Sequence, residues 1–162
     1  MAVLPIRLVP DPILKRKSKR VRTIDDSIRK LIGDMIETLH AAPGRAGLAA
    51  PQVGVPLRVI VIGAAEGEDI ALINPEIARR KGERLVSEGC LSIPGYFGVV
   101  KRAESVSVKG RDVSGKKIKI KASELLAQIL EHEIDHLNGV LYIERLEGPD
   151  KLFKVEPEVA QL

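Results

Sequence analysis

One predicted helix, over residues 123–138, constrains the fold more than any other segment. Ser123 suits its N-cap, and Gly139 suits the position just after its last turn. Its leucines and isoleucines lie on more than one side of the helix axis. Because such a helix is stable only when other elements cover those sides, we expect it to be buried between sheets.

The other periodic segments predict an α+β fold. An amphipathic stripe predicts a helix over residues 24–41, with a capping box at Thr23 and Asp26. β-Branched or alternating runs predict strands over 57–62, 70–73 (ending at Asn74 and Pro75), 84–86, 105–109 and 116–121. Turn residues rather than helices join these strands, which favours antiparallel sheets packed around the central buried helix. We expect one domain over 1–162, with 147–162 as a tail or a short helix.

Composition excludes several classes of protein. The chain has 162 residues, 44% of them hydrophobic and 30% charged, so it is long and apolar enough for a globular core. The net charge of +4 is mild, and two Tyr, two Phe and no Trp are too few for base-stacking platforms. A lone cysteine, no apolar run of membrane-spanning length and no signal-peptide pattern predict a cytoplasmic protein that binds neither DNA nor membrane.

His132 and His136 form the most chemically specific pattern in the chain. Residues four apart on a helix differ by about 40° around the axis and about 6 Å along it, so both imidazoles can bind one ion. Glu133 lies about 100° further round, where a carboxylate can reach metal-bound water without being a ligand. Two histidines that merely pack would instead leave buried polar groups without partners. The pattern therefore predicts a metal site.

A catalytic site of this kind usually has three protein ligands, and the third has several candidates. The pattern of one metalloprotease clan requires a third histidine where this chain has Tyr142. Glu156 and Glu158 are the only glutamates far enough downstream to act from a later helix. The remaining candidate is Cys90, whose thiol loses its proton beside a divalent cation. A single cysteine is also often a small buried hydrophobe, but with the histidine pair present we favour Cys90 as the ligand.

Small residues dominate residues 44–54 and surround Gln52, whose amide can donate a hydrogen bond. A tight surface turn explains this segment equally well.

A pocket is a further hypothesis. Val86, before Cys90, can enclose a methionine side chain together with Leu125 and Ile129 of the predicted buried helix. Such a helix stripe is also common in plain cores.

Three short motifs, in this order, resemble the signature motifs of peptide deformylase. They are Gly47–Gln52 (GLAAPQ), Glu88–Ser92 (EGCLS) and His132–His136 (HEIDH). Each is moderately specific alone, but their conjunction and order in a chain of this length are very specific. The resemblance implies an α+β metal-dependent hydrolase that removes the formyl group from the N-terminal formylmethionine of nascent polypeptides and releases formate.

The same resemblance implies Cys90, His132 and His136 as metal ligands and Glu133 as the catalytic carboxylate. The usual ion of the family is Fe²⁺, which Zn²⁺, Ni²⁺ or Co²⁺ can replace.

The resemblance also implies how substrate is held. Gln52 and the backbone N–H of Leu91 would form an oxyanion hole, and the main chain near Gly47 and Gly89 would bind the N-formylmethionyl peptide as an added strand.

The chain departs from the family pattern at three places near the motifs. Arg45 stands where a glycine is usual, Phe97 where arginine is frequent, and Glu131 where glutamine is common. In some relatives a basic C-terminal helix docks on the ribosome, but here the tail has mixed charge. The basic run from Lys15 to Arg22 is usually a solvated face in proteins, and it is an alternative place to meet RNA.

Two rival functions remain at this point. One is a metallopeptidase that cleaves internal amide bonds, which leaves the segment around Cys90 unexplained. The other is a metal-stabilised module that binds RNA or the ribosome through the basic run and catalyses nothing.

Overall fold

Two antiparallel β-sheets and two α-helices form the fold in the computed structural model, which describes residues 2–63 and 68–154. The elements are α1 (Asp26–His40), β1 (Gly47–Ala49), β2 (Val59–Ile62), β3 (Ile70–Lys81), β4 (Arg84–Cys90), β5 (Ile93–Arg102), β6 (Ser105–Arg111), β7 (Lys117–Ser123), α2 (Glu124–Leu137) and β8 (Leu152–Lys154). The larger sheet has the order β1-β2-β3-β6-β7 and the smaller sheet the order β4-β5-β8. This agrees with the predicted α+β class and antiparallel pairing.

The two helices pack on opposite faces of the larger sheet. In β2, Ile60 and Ile62 belong to the core shared with α2, whereas Val59 and Val61 belong to the core shared with α1. Since successive strand residues point to opposite faces, a continuous apolar strand is what burial on both faces requires. Helix α2 also contacts β5 of the smaller sheet, so it lies against strands of both sheets.

Helix α1 is capped differently from the prediction. The capping box at Thr23 and Asp26 is wrong: Asp25 is the N-cap, and its Oδ1 accepts a hydrogen bond from the backbone N–H of Ile28 at 3.2 Å. Asp25 has an extended backbone and a short side chain, which is the geometry that reaches the first turn of a helix.

Strand β3 does not end at Asn74 and Pro75, as the sequence suggested. Its register shifts between Ile73 and Glu76. Pro75 lies in this bulge, where the strand pairing does not require the backbone N–H that proline lacks. The Asn74 side chain accepts from the N–H of Val21 at 2.8 Å and donates to the same residue's carbonyl at 2.9 Å. The bulge is therefore held by the N-terminal segment.

Strand β5 was not predicted, and β4 runs on to Cys90 rather than ending at Val86. The C-terminal tail contributes a 3₁₀ turn (Pro149–Lys151) and β8, which pairs with β5. Glu156 and Glu158 lie outside the described residues. Neither helix of the described part is long and apolar enough to cross a membrane.

Helix α2 offers a matched test of its burial. Leu130 is fully buried, whereas Leu125 is 59% exposed. We expect Leu130→Ala to lower the free energy of unfolding by about 2–5 kcal/mol, because it removes core contacts and leaves a cavity. Leu125→Ala makes the same change in the same helix and should cost no more than about 0.5 kcal/mol. Urea unfolding of both variants with the same metal content measures the difference, and equal losses would contradict the packing described.

Candidate metal centre

Three donor atoms from two distant segments meet beside α2. The Sγ of Cys90, at the end of β4, lies 3.3 Å from Nε2 of His136. That nitrogen lies 3.2 Å from Nε2 of His132, one helical turn earlier. All three atoms lie within 4.8 Å of one another, and all three residues are buried. A thiolate and two imidazoles suit Zn²⁺, Fe²⁺, Ni²⁺ or Co²⁺ better than Mg²⁺ or Ca²⁺.

The orientation of His132 is set from behind by Glu88. Its Nδ1 lies 2.6 Å from Oε2 of Glu88, which leaves Nε2 directed at the other two donors. Glu88 is fully enclosed and is held in turn by Arg102 and by Gln128, whose Nε2 lies 3.3 Å from Oε1. Burial alone would raise the pKa of Glu88, but His132 and Arg102 lower it to about 2, so it remains a carboxylate. A carboxylate behind a ligating imidazole is the usual support of metal sites.

Sequence reasoning missed this support. Glu88 was noticed only as part of a motif, and no spacing rule connects it to Arg102. The network extends to Asp135, which accepts from Arg102 Nη1 at 2.8 Å and from Arg145 Nε at 2.6 Å. Asp135, between the two histidines in sequence, therefore points to an ion-pair network and not to the donor cluster.

Glu133 is buried beside the cluster without a partner. It is 0% exposed, and neither carboxylate oxygen has a hydrogen-bond partner in the described part of the chain. Burial raises the pKa of its carboxyl to about 7. A Cβ on Gly47 would lie 2.6 Å from Oε2 of Glu133, so this glycine makes room for the carboxylate. An unpaired buried carboxylate next to a metal-binding cluster is costly and points to a functional role.

Gln52 is likewise aimed at the cluster. It lies in a 3₁₀ turn (Ala50–Val53) and is 0% exposed. Its Oε1 accepts from the backbone N–H of Ala49 at 3.0 Å, which turns the amide nitrogen towards Cys90 Sγ at 3.7 Å and Ser92 Oγ at 3.1 Å. Leu91 directly follows Cys90 and is 9% exposed. The two groups expected to donate to substrate thus flank the same sulfur.

The residues expected to hold the peptide lie on the edge strands of the two sheets, as these run within residues 2–63 and 68–154. Gly47 is in β1, the edge strand of the larger sheet, and Gly89 is in β4, the edge strand of the smaller sheet. Leu125 and Ile129 line one cleft, together with Ala46. Val86 does not line that cleft and packs instead, half-buried, against the core around Cys90.

The three departures from the family pattern have local partners. Arg45 donates to the Thr38 carbonyl at the end of α1. Phe97 stacks on Phe153 with ring centroids 5.3 Å apart. Glu131 accepts from the N–H of Ala103 at 2.7 Å and pairs with Arg80 at 3.0 Å.

A buried thiol and two imidazoles beside an unpaired carboxylate define a metal-dependent hydrolase. Comparison with known proteins gives the family: the polypeptide deformylase model matches residues 3–152. A peptide deformylase of Dehalococcoides mccartyi is 52% identical over 159 residues, 98% of this chain and 95% of that one. A peptide deformylase of Halothermothrix orenii is 49% identical over 147 residues, 90% of this chain and 95% of its own length.

Solved structures agree. The peptide deformylase of Legionella pneumophila superposes with a TM-score of 0.87 at 45% identity, covering 91% of this chain and 88% of that one. That of Ehrlichia chaffeensis in complex with actinonin has a TM-score of 0.88 at 42% identity, covering 93% and 92%. The chain belongs to the peptide deformylase family. It is a metal-dependent enzyme that removes the N-formyl group from nascent polypeptides.

The role of Glu88 can be tested with a matched pair of variants. Glu88→Gln keeps the size of the side chain but removes the charge that orients His132. We expect metal affinity to fall by about 10- to 100-fold, measured by competition with a chelator. Glu83→Gln makes the same change at an exposed position just before β4 and should leave affinity unchanged. Unaltered affinity in Glu88→Gln would show that the carboxylate does not support the site.

Proposed function

We propose that Cys90, His132 and His136 hold one divalent ion and leave a coordination position open for the reaction. The observation that carries this proposal is the meeting of their three donor atoms within 4.8 Å beside a carboxylate without a partner. Three protein ligands are typical of catalytic sites, whereas structural sites have four. Family resemblance favours Fe²⁺, with Zn²⁺, Ni²⁺ or Co²⁺ able to replace it. A bound ion of this kind supplies Lewis-acid polarisation and lowers the pKa of water to about 7.

Glu133 performs the proton transfers in this proposal. Its carboxylate accepts the proton of the attacking water as the new bond to the formyl carbon forms. It then delivers a proton to the amine nitrogen as the carbon–nitrogen bond breaks, so that formate and a free amino terminus are released. Enclosure beside Gly47 keeps bulk water from competing for the proton. A positioned acid–base group of this kind contributes about 10² to 10⁴ in rate.

Gln52 Nε2 and the N–H of Leu91 donate hydrogen bonds to the formyl oxygen as negative charge develops on it. The Ala49 N–H fixes the Gln52 amide before substrate arrives, so no reorganisation is needed during the reaction. One such donor contributes about 3–4 kcal/mol to transition-state stabilisation.

The substrate peptide adds as a strand between the edges at Gly47 and Gly89, with its backbone paired to β1 and β4. This follows from the two free edges, since an unpaired strand edge presents a row of donors and acceptors. Leu125 and Ile129 contact the methionine side chain from the cleft that they line, and Val86 is left out of this pocket. Each methylene buried there contributes roughly 0.8 kcal/mol.

We infer that residues 1–162 act as one catalytic domain, with both sheets packed around the HEIDH-bearing α2. The substrate class favours the cytoplasm, where nascent chains carry formyl groups and a thiol such as Cys90 stays reduced. Because nascent chains emerge from the ribosome, we infer the ribosome as a partner of the enzyme. Family membership decides against the endopeptidase and the non-catalytic RNA-binding module as the primary function.

Glu133→Ala tests the proton-transfer role. We expect turnover of formyl-Met-Ala-Ser to fall at least about 10²-fold while metal content stays the same, because Glu133 moves protons and does not ligate. Formate release and metal analysis on one preparation measure both quantities. Glu83→Ala, at an exposed position, is the control and should keep wild-type turnover. Unchanged turnover in Glu133→Ala with metal retained would refute the role.

Cys90→Ser tests the third ligand. A serine hydroxyl is a far poorer ligand than a thiolate for these ions, so we expect the variant to lose metal during dialysis that leaves the wild type loaded. Metal content and formate release, each with and without chelator, are the measurements. Full occupancy together with normal activity in Cys90→Ser would remove this residue from the ligand set.

A further inference from the structure

Neither α-helix of residues 2–63 and 68–154 packs on the outer face of β3, β6 and β7. Helix α2 packs on the inner face through residues such as Val106 and Val108, and α1 contacts β1 and β2 on the outer side. The alternate residues of β6 and β7 point away from α2, and Lys109 and Lys119 among them are exposed. This part of the outer side therefore presents exposed side chains such as Lys109, Lys119 and Lys121.

Basic side chains dominate this surface, which we name the cationic face. The register places Lys81 beside Ser105, Lys109 beside Lys119, and Arg111 beside Lys117. Ser107 lies between Arg79 on one side and Lys121 on the other. Its seven basic residues are Arg79, Lys81, Lys109, Arg111, Lys117, Lys119 and Lys121. Glu76, opposite Lys109, is the acidic residue in these rows, and it pairs with Arg20 at 3.3 Å.

This arrangement destabilises the isolated chain. Lys109 and Lys119 lie directly opposite each other, as do Arg111 and Lys117, and like charges in such cross-strand pairs repel. Within residues 2–63 and 68–154, none of the seven side chains forms an ion pair with a carboxylate. The net charge of the face exceeds the +4 of the whole chain, so the remainder is net negative. The positive charge of the chain is therefore concentrated on this face and is not distributed evenly over the surface.

The cationic face continues into the basic run of the N-terminal segment. Lys19, Arg20 and Arg22 line one groove with Arg111, and Arg20 lines a second with Lys109, Lys117 and Lys119. The N-terminal segment is held there by the bond from Val21 N–H to Asn74. Two features that are separate in the sequence thus form one continuous positive surface.

We propose that the cationic face binds the phosphate backbone of folded RNA. Basic side chains repeated along paired strands match a polymer of repeated negative charge and make sequence-independent contacts. The paired rows contain serine beside the charged residues and no aromatic or long aliphatic side chain exposed for insertion into a bilayer. The proposal rests on the family activity. The substrate is the amino terminus of a growing polypeptide, and growing polypeptides are made next to folded RNA, so we infer RNA rather than DNA as the partner.

The position of the face is compatible with catalysis. The metal-binding donors lie on α2 and at the end of β4, whereas the cationic face is on the side of β6 and β7 that points away from α2. RNA bound there leaves Glu133 and both edge strands free, so the enzyme can be tethered near its substrate and still react.

The test measures binding of metal-loaded enzyme to an RNA duplex of about 16 base pairs by fluorescence anisotropy, from about 50 to 200 mM salt. One variant carries Lys117→Gln, Lys119→Gln and Lys121→Gln. The control carries Lys101→Gln, Lys151→Gln and Lys154→Gln, exposed residues in or next to the smaller sheet. Both variants lose the same charge, and formate release from a short formyl peptide is recorded for each.

We expect the β7 variant to bind the duplex at least about tenfold more weakly at low salt, with a salt slope shallower by about 2 to 3. The control should stay within about twofold of wild type, since its lysines lie off the face. Equal losses in both variants, no binding by the wild type, or binding only to anionic phospholipid vesicles would overturn the proposal. Formate release should be normal throughout; its absence in the wild type would instead contradict the family activity.

Discussion

The contact between Glu88 and His132 is the interaction on which the geometry of the candidate metal centre depends. An imidazole has two nitrogens, and the one that faces the donor cluster is decided by the partner of the other. Glu88 binds Nδ1 at 2.6 Å, so Nε2 faces Cys90 and His136. Glu88 remains charged at 0% side-chain exposure because Arg102 pairs with it at similarly low exposure. Without the arginine, a buried carboxylate would be neutral and a weaker acceptor.

Helix α2 combines two tasks that usually conflict. Its apolar residues, such as Leu130 and Leu137, fill the core against the larger sheet. Two histidines and three acids in its C-terminal half are also buried, and most of them contact a different element. Asp135 accepts from Arg145, and His132 contacts Glu88. Glu133 is the exception. Burying this one unpaired carboxylate is unfavourable for folding, and the packing of the surrounding core offsets that free energy. Enzymes commonly keep such an unfavourable group where it has a function.

The larger sheet shows how the helices divide its surface by function. Its inner face is apolar and carries α2, so the metal centre is backed by a rigid layer. Its outer face is apolar under α1 and cationic beyond it, with Val61 of β2 on the first part and Lys109 of β6 on the second. The net charge of the chain does not reveal this division, because it carries no information on where the lysines lie in the fold.

Local chemistry in the sequence was sufficient to predict the histidine pair and the helix α2 that carries it. Helical spacing places His132 and His136 on one face whatever the rest of the chain does, and the apolar surroundings of that pair demand burial. The antiparallel class followed from short strands joined by turns. Residue chemistry favoured Cys90 and Glu133, and motif resemblance added the role of Gln52 and pointed to the deformylase family before any contact was known.

Tertiary structure alone decided the support of the centre, the course of β3, and the strands β5 and β8. Glu88 meets His132 across a sequence separation of 44, and Asn74 holds Val21 across 53, distances over which no periodicity acts. The position of the cationic face depends likewise on which part of the sheet α1 leaves bare. Residue identity and short spacings are local properties that a sequence displays directly, whereas pairing between distant segments exists only once the chain has folded.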